Sequence, residues 1–237
     1  MRKQKQLELK SEPLFSGVVG KKLFLAREEE RRKIARELHD AFGQELVTIL
    51  LELNQLAKNC KSLAPQSNLS RQVCNGLDDL STRVNQIASS INEVSHQLHS
   101  TILERAGLRL ALEQLCADLS ARGRTQVYFV GTGLKTIISP SVSLCLYRIA
   151  QEALHNVDKH AHAPRTEVIL KELGHYIVLT VRDHGVGYNQ RHLNSNAGLG
   201  LSSMEERAVS MGGAFALKTA LGKGTEVTVQ LPLKNRN

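Results

Sequence analysis

Tryptophan is absent from this sequence of 237 residues, and aromatic residues make up only 4% of it. With so few rings to fill a core, the helical parts must be held together by leucine, isoleucine and valine. Cysteine is scarce as well. The four thiols Cys60, Cys74, Cys116 and Cys145 form no Cys-x-x-Cys pair, and no secretory leader is visible. Reduced, mostly buried thiols in a cytoplasmic protein are therefore expected. Long apolar runs are missing too. The longest near the start, residues 14–20, is broken by Lys21 and Lys22, far short of the roughly 20 residues that a membrane helix needs. This chain is not expected to span a bilayer. Its net charge is +8, but the basic residues are scattered or mixed with acidic ones, as in residues 27–37, and no aromatics interleave with them. Direct contact with nucleic acid is not expected on that pattern.

The length suits one ordinary domain plus an extended helical element, or two small domains. Residues 29–46 read EERRKIARELHDAFGQEL, a strong helix former carrying one histidine, His39. On a helix, positions i and i+4 stack on one face, so the residue one turn beyond His39 is Gly43, which has no side chain. Asp40 and Gln44 line up beside it. A glycine inside a helix costs about 0.5–1 kcal/mol relative to alanine, so a close approach to the backbone is expected there. A lone helical histidine is otherwise just a solvated side chain.

A second helix follows, in which Leu69, Val73, Leu77, Leu80, Val84, Ile87, Ile91, Val94 and Leu98 recur with alternating spacings of four and three. That is the seam of a coiled coil or four-helix bundle. One helix cannot bury such a seam. The helix before it offers a matching stripe of Ile34, Leu38, Phe42, Leu46, Ile49, Leu53 and Leu56, with Pro65 in the turn between them. An antiparallel hairpin still leaves apolar surface, so two copies forming a four-helix bundle, and hence a homodimer, are expected. Around His39 the first stripe runs at spacings of four before settling, which is either a stutter that unwinds supercoiling or an irregularity without consequence.

From Leu108 the pattern changes. A short helix (108–119) opens a new domain, followed by a strand at 126–130, a helix at 141–160, strands at 167–171 and 176–182, a helix at 201–211, and strands at 214–219 and 225–233. This order fits an α/β sandwich with helices on one face of a mixed sheet. The expected organisation is a lead or linker over 1–27, a helical hairpin over 28–107 and an α/β domain over 108–237. In the helix at 141–160, Glu152, Asn156, Lys159 and His160 fall on one polar face. Further on come Asp183-His184-Gly185-Val186-Gly187, directly after a strand, then Gly198-Leu199-Gly200-Leu201 and Gly222-Lys223-Gly224-Thr225. A Walker A loop fails, because Leu217 and Gly224 stand where it needs glycine and serine or threonine. A GxGxxG fingerprint fails at Gln190 and Ser203.

The box around His39 resembles the phospho-acceptor box of two-component sensor histidine kinases, and its ELHDxxGQ pattern that of the nitrate-sensor and desaturase-sensor (NarX/DesK-like) subfamily. The four downstream elements, in this order, resemble the ATP-binding domain shared by histidine kinases, gyrase, a heat-shock chaperone and mismatch-repair ATPases. The resemblance covers nearly the whole chain after about Arg27. It implies ATP and Mg²⁺, with Asp183 accepting from the adenine amino group while Gly185 and Gly187 let backbone approach the ring. Asn156 would supply an oxygen to the metal and Glu152 would hold a metal-bound water. Lys159 and His160 would neutralise phosphate, and the helix start at Gly198, Gly200 and Leu201 would offer N–H groups; Thr225 completes the last element. Residues 188–197 would form a lid. Asp40 would orient His39 and take its proton during attack on the γ-phosphoryl group, and Gln44 would orient water for the reverse, dephosphorylating reaction. The implied partner is the receiver domain of a LuxR-type response regulator.

His155, His184 and Ser203 depart from the more frequent residues of that family but remove no catalytic group. A non-catalytic dimeric nucleotide-binding module is the alternative, and a serine kinase or ATPase of the same superfamily is a third reading. Too little chain precedes residue 27 to hold a sensor domain, so either a longer receptor or a soluble kinase controlled by a partner is expected.

Overall fold

A computed structural model describes residues 14–63, 68–134, 136–188 and 199–233. The elements run in the order α1 (Leu14–Leu63), α2 (Asn68–Leu98), α3 (Thr101–Ala121), β1 (Gln126–Thr132), α4 (Pro140–Asn156), a single π turn (Val157–Ala161), β2 (Arg165–Leu173), β3 (Tyr176–Asp183), α5 (Leu199–Ser210), β4 (Ala214–Thr219) and β5 (Thr225–Pro232). The chain divides into two compact units. One is Arg27–Thr101; the other joins the described residues up to Ala26 to those from Ile102 onward. Among the described residues no helix is long and apolar enough to cross a membrane.

The first unit is the antiparallel hairpin of α1 and α2. Lys61 Nζ lies 3.6 Å from Asp78 Oδ2, and Leu38 shares a groove with Ile87, Ile91 and Val94. The apolar repeat splits into two rows. On α2, Leu77, Val84, Ile91 and Leu98 are half-buried, whereas Val73, Leu80, Ile87 and Val94, also seven apart, stay exposed. On α1, Leu46 and Leu53 are half-buried while Phe42, Ile49 and Leu56 are exposed. Each helix thus spends one row of its seam on the hairpin and leaves the other uncovered. The expected turn lies at 64–67, outside the described residues.

The second unit is an α/β sandwich. Its sheet has the order β1-β2-β3-β5-β4, with β1 parallel to β2 and the other pairs antiparallel. Alternation decides the buried face: Val168 and Leu170 on β2, Ile177 and Leu179 on β3, and Val229 and Leu231 on β5 are essentially inaccessible. They meet Leu112 of α3, Leu146 and Ile149 of α4 and Met204 of α5 in one core, and each such side chain contributes about 1.5–3 kcal/mol. The opposite face is polar. There Glu226 of β5 stands between its cross-strand neighbours Arg182 and Lys218. Burial alone would raise the Glu226 carboxyl, but hydrogen bonds from Arg182 (Nε, 2.7 Å) and Lys218 (3.1 Å) outweigh it and hold the group below its ordinary range.

Two boundaries have identifiable causes. Gly107, at φ 82° and ψ 176°, interrupts α3, a conformation that glycine adopts without penalty. α4 starts at Ser139, whose hydroxyl accepts from the Val142 amide, with Pro140 in its first turn. The region read from sequence as a lead is helical from Leu14 on, and its Phe24, 7% exposed, belongs to the core of this second unit. Gly20 lies so close to α5 that a Cβ there would be 3.0 Å from Ser210 Cβ.

Candidate functional site

At the end of β3, Asp183 is only 5% exposed. Its Oδ1 accepts from the Gly185 amide at 2.9 Å, which fixes the carboxylate at the head of the loop. Three glycines let other backbone press against that loop. A Cβ at Gly185 would fall 2.0 Å from the Ala161 carbonyl oxygen, one at Gly187 2.1 Å from that of Ala220, and one at Gly224 2.0 Å from that of Asp183. No side chain fits at these distances. The contacts are sealed by hydrogen bonds from Val186 N to Ala161 O (2.8 Å) and from Gly222 N to Val186 O (2.7 Å). Thr219 Oγ1 ties the far side, donating to Gly224 O at 3.2 Å and lying 3.1 Å from the Tyr188 amide that donates to it.

The result is a cavity of about 440 Å³. Ala153, Val157, Ala161, Val181, Leu201 and Val227 make it largely apolar, and Asn156, His160, Asp183, Tyr188 and Thr225 supply the polar groups, with Gly187 and Gly200 at its wall. A flat heteroaromatic ring with one exocyclic donor suits such a space: apolar walls take its faces, and a buried carboxylate accepts at its edge. Tyr188 contributes a hydroxyl shut off from solvent with no hydrogen-bond partner, and burial, then the Asp183 charge, raises its pKa.

Glu152 and Lys159 are placed differently. Glu152 is not in the cavity wall; its carboxylate lies against Gly200, where a Cβ would come 2.1 Å from Oε1. Gly200 thus makes room for an acidic group at the start of α5, where the helix dipole favours it. Lys159 and His160 are both exposed, but only His160 is in the lining, and the chain leaves α4 through the π turn and not as further α-helix. Among the described residues no group of three or more His, Cys, Asp or Glu is arranged to hold a metal, so a divalent ion here would depend on phosphate oxygens and waters beside Asn156. Gly198 and residues 189–197 of the expected lid lie outside the described residues.

In the hairpin unit, His39, Asp40 and Gln44 are all exposed. A Cβ at Gly43 would stand 3.8 Å from His39 Nδ1 and 3.9 Å from Cε1, so any side chain there would cover the ring that glycine leaves open. Among the described residues the side chains of His39, Asp40 and Gln44 make no hydrogen bond or ion pair.

Comparison with known proteins assigns both units. Residues 30–104 match the family model described as Histidine kinase. Residues 141–235 match that of the Histidine kinase-, DNA gyrase B-, and HSP90-like ATPase. The chain belongs to the two-component histidine kinases. A sensor histidine kinase, MctS, of Rhizobium johnstonii is 29% identical over 208 residues, 87% of this chain and 44% of that protein. An uncharacterized sensor-like histidine kinase of Chloroflexus aurantiacus is 28% identical over 221 residues, 90% of this chain and 36% of that one. The chain thus spans less than half the length of these two relatives. Among solved structures, the histidine kinase domain of the Erythrobacter litoralis blue-light activated kinase aligns at 17% identity with a TM-score of 0.47, over 78% of this chain and 94% of that one. By the two family models, this kinase core carries both a histidine kinase helical region and an ATPase-family domain. Sequence reasoning missed Ala161 as part of the cavity wall and Thr219 as the brace behind its loop, and it read Tyr188 as the first residue of a lid where the structure puts it in the wall.

Proposed function

We propose that this histidine kinase core binds ATP in the cavity around Asp183 and phosphorylates itself on His39. The observation that carries the reading is a buried, fixed carboxylate in an apolar cavity with Asn156 and His160 on its wall, in the same chain as a histidine kept uncovered by a glycine one turn on. Asp183 accepts from the adenine amino group, and Asn156 would hold Mg²⁺ through its amide oxygen, an ion that would neutralise charge on the phosphates. His160 adds positive or hydrogen-bonding character near them. Glu152, which lies against Gly200 at the start of α5, would orient a water on that ion. Lys159 acts from the outer side.

At His39, one imidazole nitrogen attacks the γ-phosphorus while the bond to the β–γ bridging oxygen breaks, and ADP leaves with that electron pair. Asp40 takes the proton from the other nitrogen. The phosphoryl group then passes to an aspartate on the receiver domain of a LuxR-type response regulator, and Gln44 orients water for its later removal. The uncovered rows on α1 and α2 pair with a second copy, giving a homodimeric four-helix bundle.

The test is incubation of the purified chain with γ-labelled ATP and Mg²⁺. An acid-labile, alkali-stable phosphoprotein that disappears in His39→Gln is expected. Label retained in that variant refutes the acceptor assignment, acid-stable label points to a hydroxyl acceptor, and nucleotide binding without any label makes the chain a regulatory module.

A further inference from the structure

The π turn between Asn156 and His162 is held from both sides, and one of its anchors has no part in the reading above. Asp158 sits in the middle of that turn with its side chain only 12% exposed. Its Oδ2 accepts from Arg122 Nη1 at 3.3 Å, and Oδ1 lies 3.6 Å from Arg124 Nη1. Oδ1 is otherwise shut off from solvent without a hydrogen bond, so the two guanidinium groups are what compensates a nearly buried charge. The segment that carries the arginines is itself fixed. Gly123 turns the chain at φ 76°, Thr125 is buried against Thr166 with 3.3 Å between their hydroxyls, and Ser120 Oγ accepts from the Val127 amide at 2.9 Å. The other end of the turn is gripped by the bond from Val186 N to Ala161 O, and the chain leaves it through His162 in the left-handed region at φ 47°.

What the turn does is a matter of angles. Continued as α-helix, Lys159 would fall about 60° to one side of Asn156 and His160 about 40° to the other. A π turn is wider and advances less per residue. Lys159 is thereby carried away from the line through Asn156 and His160 is kept near it. The cavity wall contains His160 and not Lys159. One-turn π segments carry no backbone advantage of their own over α-helix, so something must hold this one.

We propose that Asp158 is a positioning residue of the nucleotide site: clasped by Arg122 and Arg124, it holds the π turn so that His160, and not Lys159, stands beside Asn156 in the cavity wall. The assignment rests on the cavity being the ATP site. In the full chain, Asp158→Ala is expected to raise the KM for ATP about tenfold, the scale of one lost charge-assisted hydrogen bond, while kcat at saturating ATP stays within about twofold. Without nucleotide, the imidazole resonances of His160 should move in the NMR spectrum of Asp158→Ala. Arg124→Gln should move them the same way by less, and its side chain is 73% exposed, so the core is not at risk. Unmoved His160 resonances, or a loss confined to kcat, overturn the proposal. Should Asp158→Ala not fold, Arg122→Gln and Arg124→Gln decide by the same two readings. A wild-type chain that binds no ATP would refute the nucleotide-site reading alone, because the resonance measurement needs no ligand.

Discussion

Replacing Asp183 by asparagine separates recognition from folding at a single atom. The native carboxylate does two things: Oδ1 accepts from the Gly185 amide at 2.9 Å, and the rest of a group only 5% exposed is free to accept from a base. Asparagine keeps the shape, and its oxygen can still take the Gly185 bond, so the loop should survive with a loss of about 1 kcal/mol or less. Its NH₂ then meets the adenine amino group donor to donor. Removing a hydrogen bond to a charged acceptor costs about 1.5–3 kcal/mol, which is roughly 10- to 150-fold in dissociation constant. Isothermal titration with ATP, read beside a urea melt of the same sample, measures both terms. Asp183→Asn binding ATP within about twofold of wild type, with a folded cavity, would refute the place given to this carboxylate. A melt that collapses with the binding would show instead that the loop, and not the base contact, depends on the charge.

Four other outcomes follow from the same geometry. Gly43→Ala should gain about 0.5–1 kcal/mol of helix stability yet slow labelling of His39, since the new methyl sits 3.8 Å from Nδ1; faster melting or unchanged labelling would count against an open ring. Gln44→Ala should leave autophosphorylation largely intact and slow dephosphorylation of the regulator, whereas Asp40→Asn should mainly lower autophosphorylation, and both half-reactions measured with one regulator decide it. Ile87→Lys, in the exposed row of α2, should convert a dimer into monomers by light scattering without unfolding the α/β unit. Burial, then the charge of Glu113, pushes the Cys116 thiol up to about 12; the unfolded chain gives up this proton near 9 and the folded one near 12, so stability should fall as pH rises across that interval. Alkylation of Cys116 at pH 8 should accordingly wait for unfolding.

The repeats were legible because they are local. The spacing of Leu77, Val84 and Ile91 is a property of a helix wherever it packs, and alternation along β2, β3 and β5 declares a one-sided sheet before any partner is known. The order Asn156, Asp183, Gly200, Thr225 could be read because each element opens or closes a regular segment. What could not be read depends on distant partners. Glu152 turns toward Gly200 because a gap exists there only in the folded chain. Lys159 leaves the site because a π turn replaces α-helix, and neither the propensity of Val-Asp-Lys-His-Ala nor its polarity distinguishes the two; its restraint comes from Arg122 and Arg124, more than thirty residues earlier. Tyr188 closes the loop as a half-buried aromatic with an enclosed hydroxyl, which a count of glycines does not reveal. The helical start at Leu14 went unread because residues 1–27 carry none of the periodic apolar pattern of the later helices, and Gly20 serves there as a point of close approach to Ser210.

The uncovered row of Val73, Leu80, Ile87 and Val94 ties the hairpin to mass action. In the proposed homodimer a second copy covers this stripe, so ordering of the two helices becomes a second-order process whose melting temperature rises with protein concentration. The α/β unit, whose core is closed within one chain, melts by a first-order process that dilution leaves alone. Two transitions that overlap in a concentrated sample should therefore draw apart as it is diluted, and in a cell the number of copies made would set how much ordered hairpin exists to carry His39.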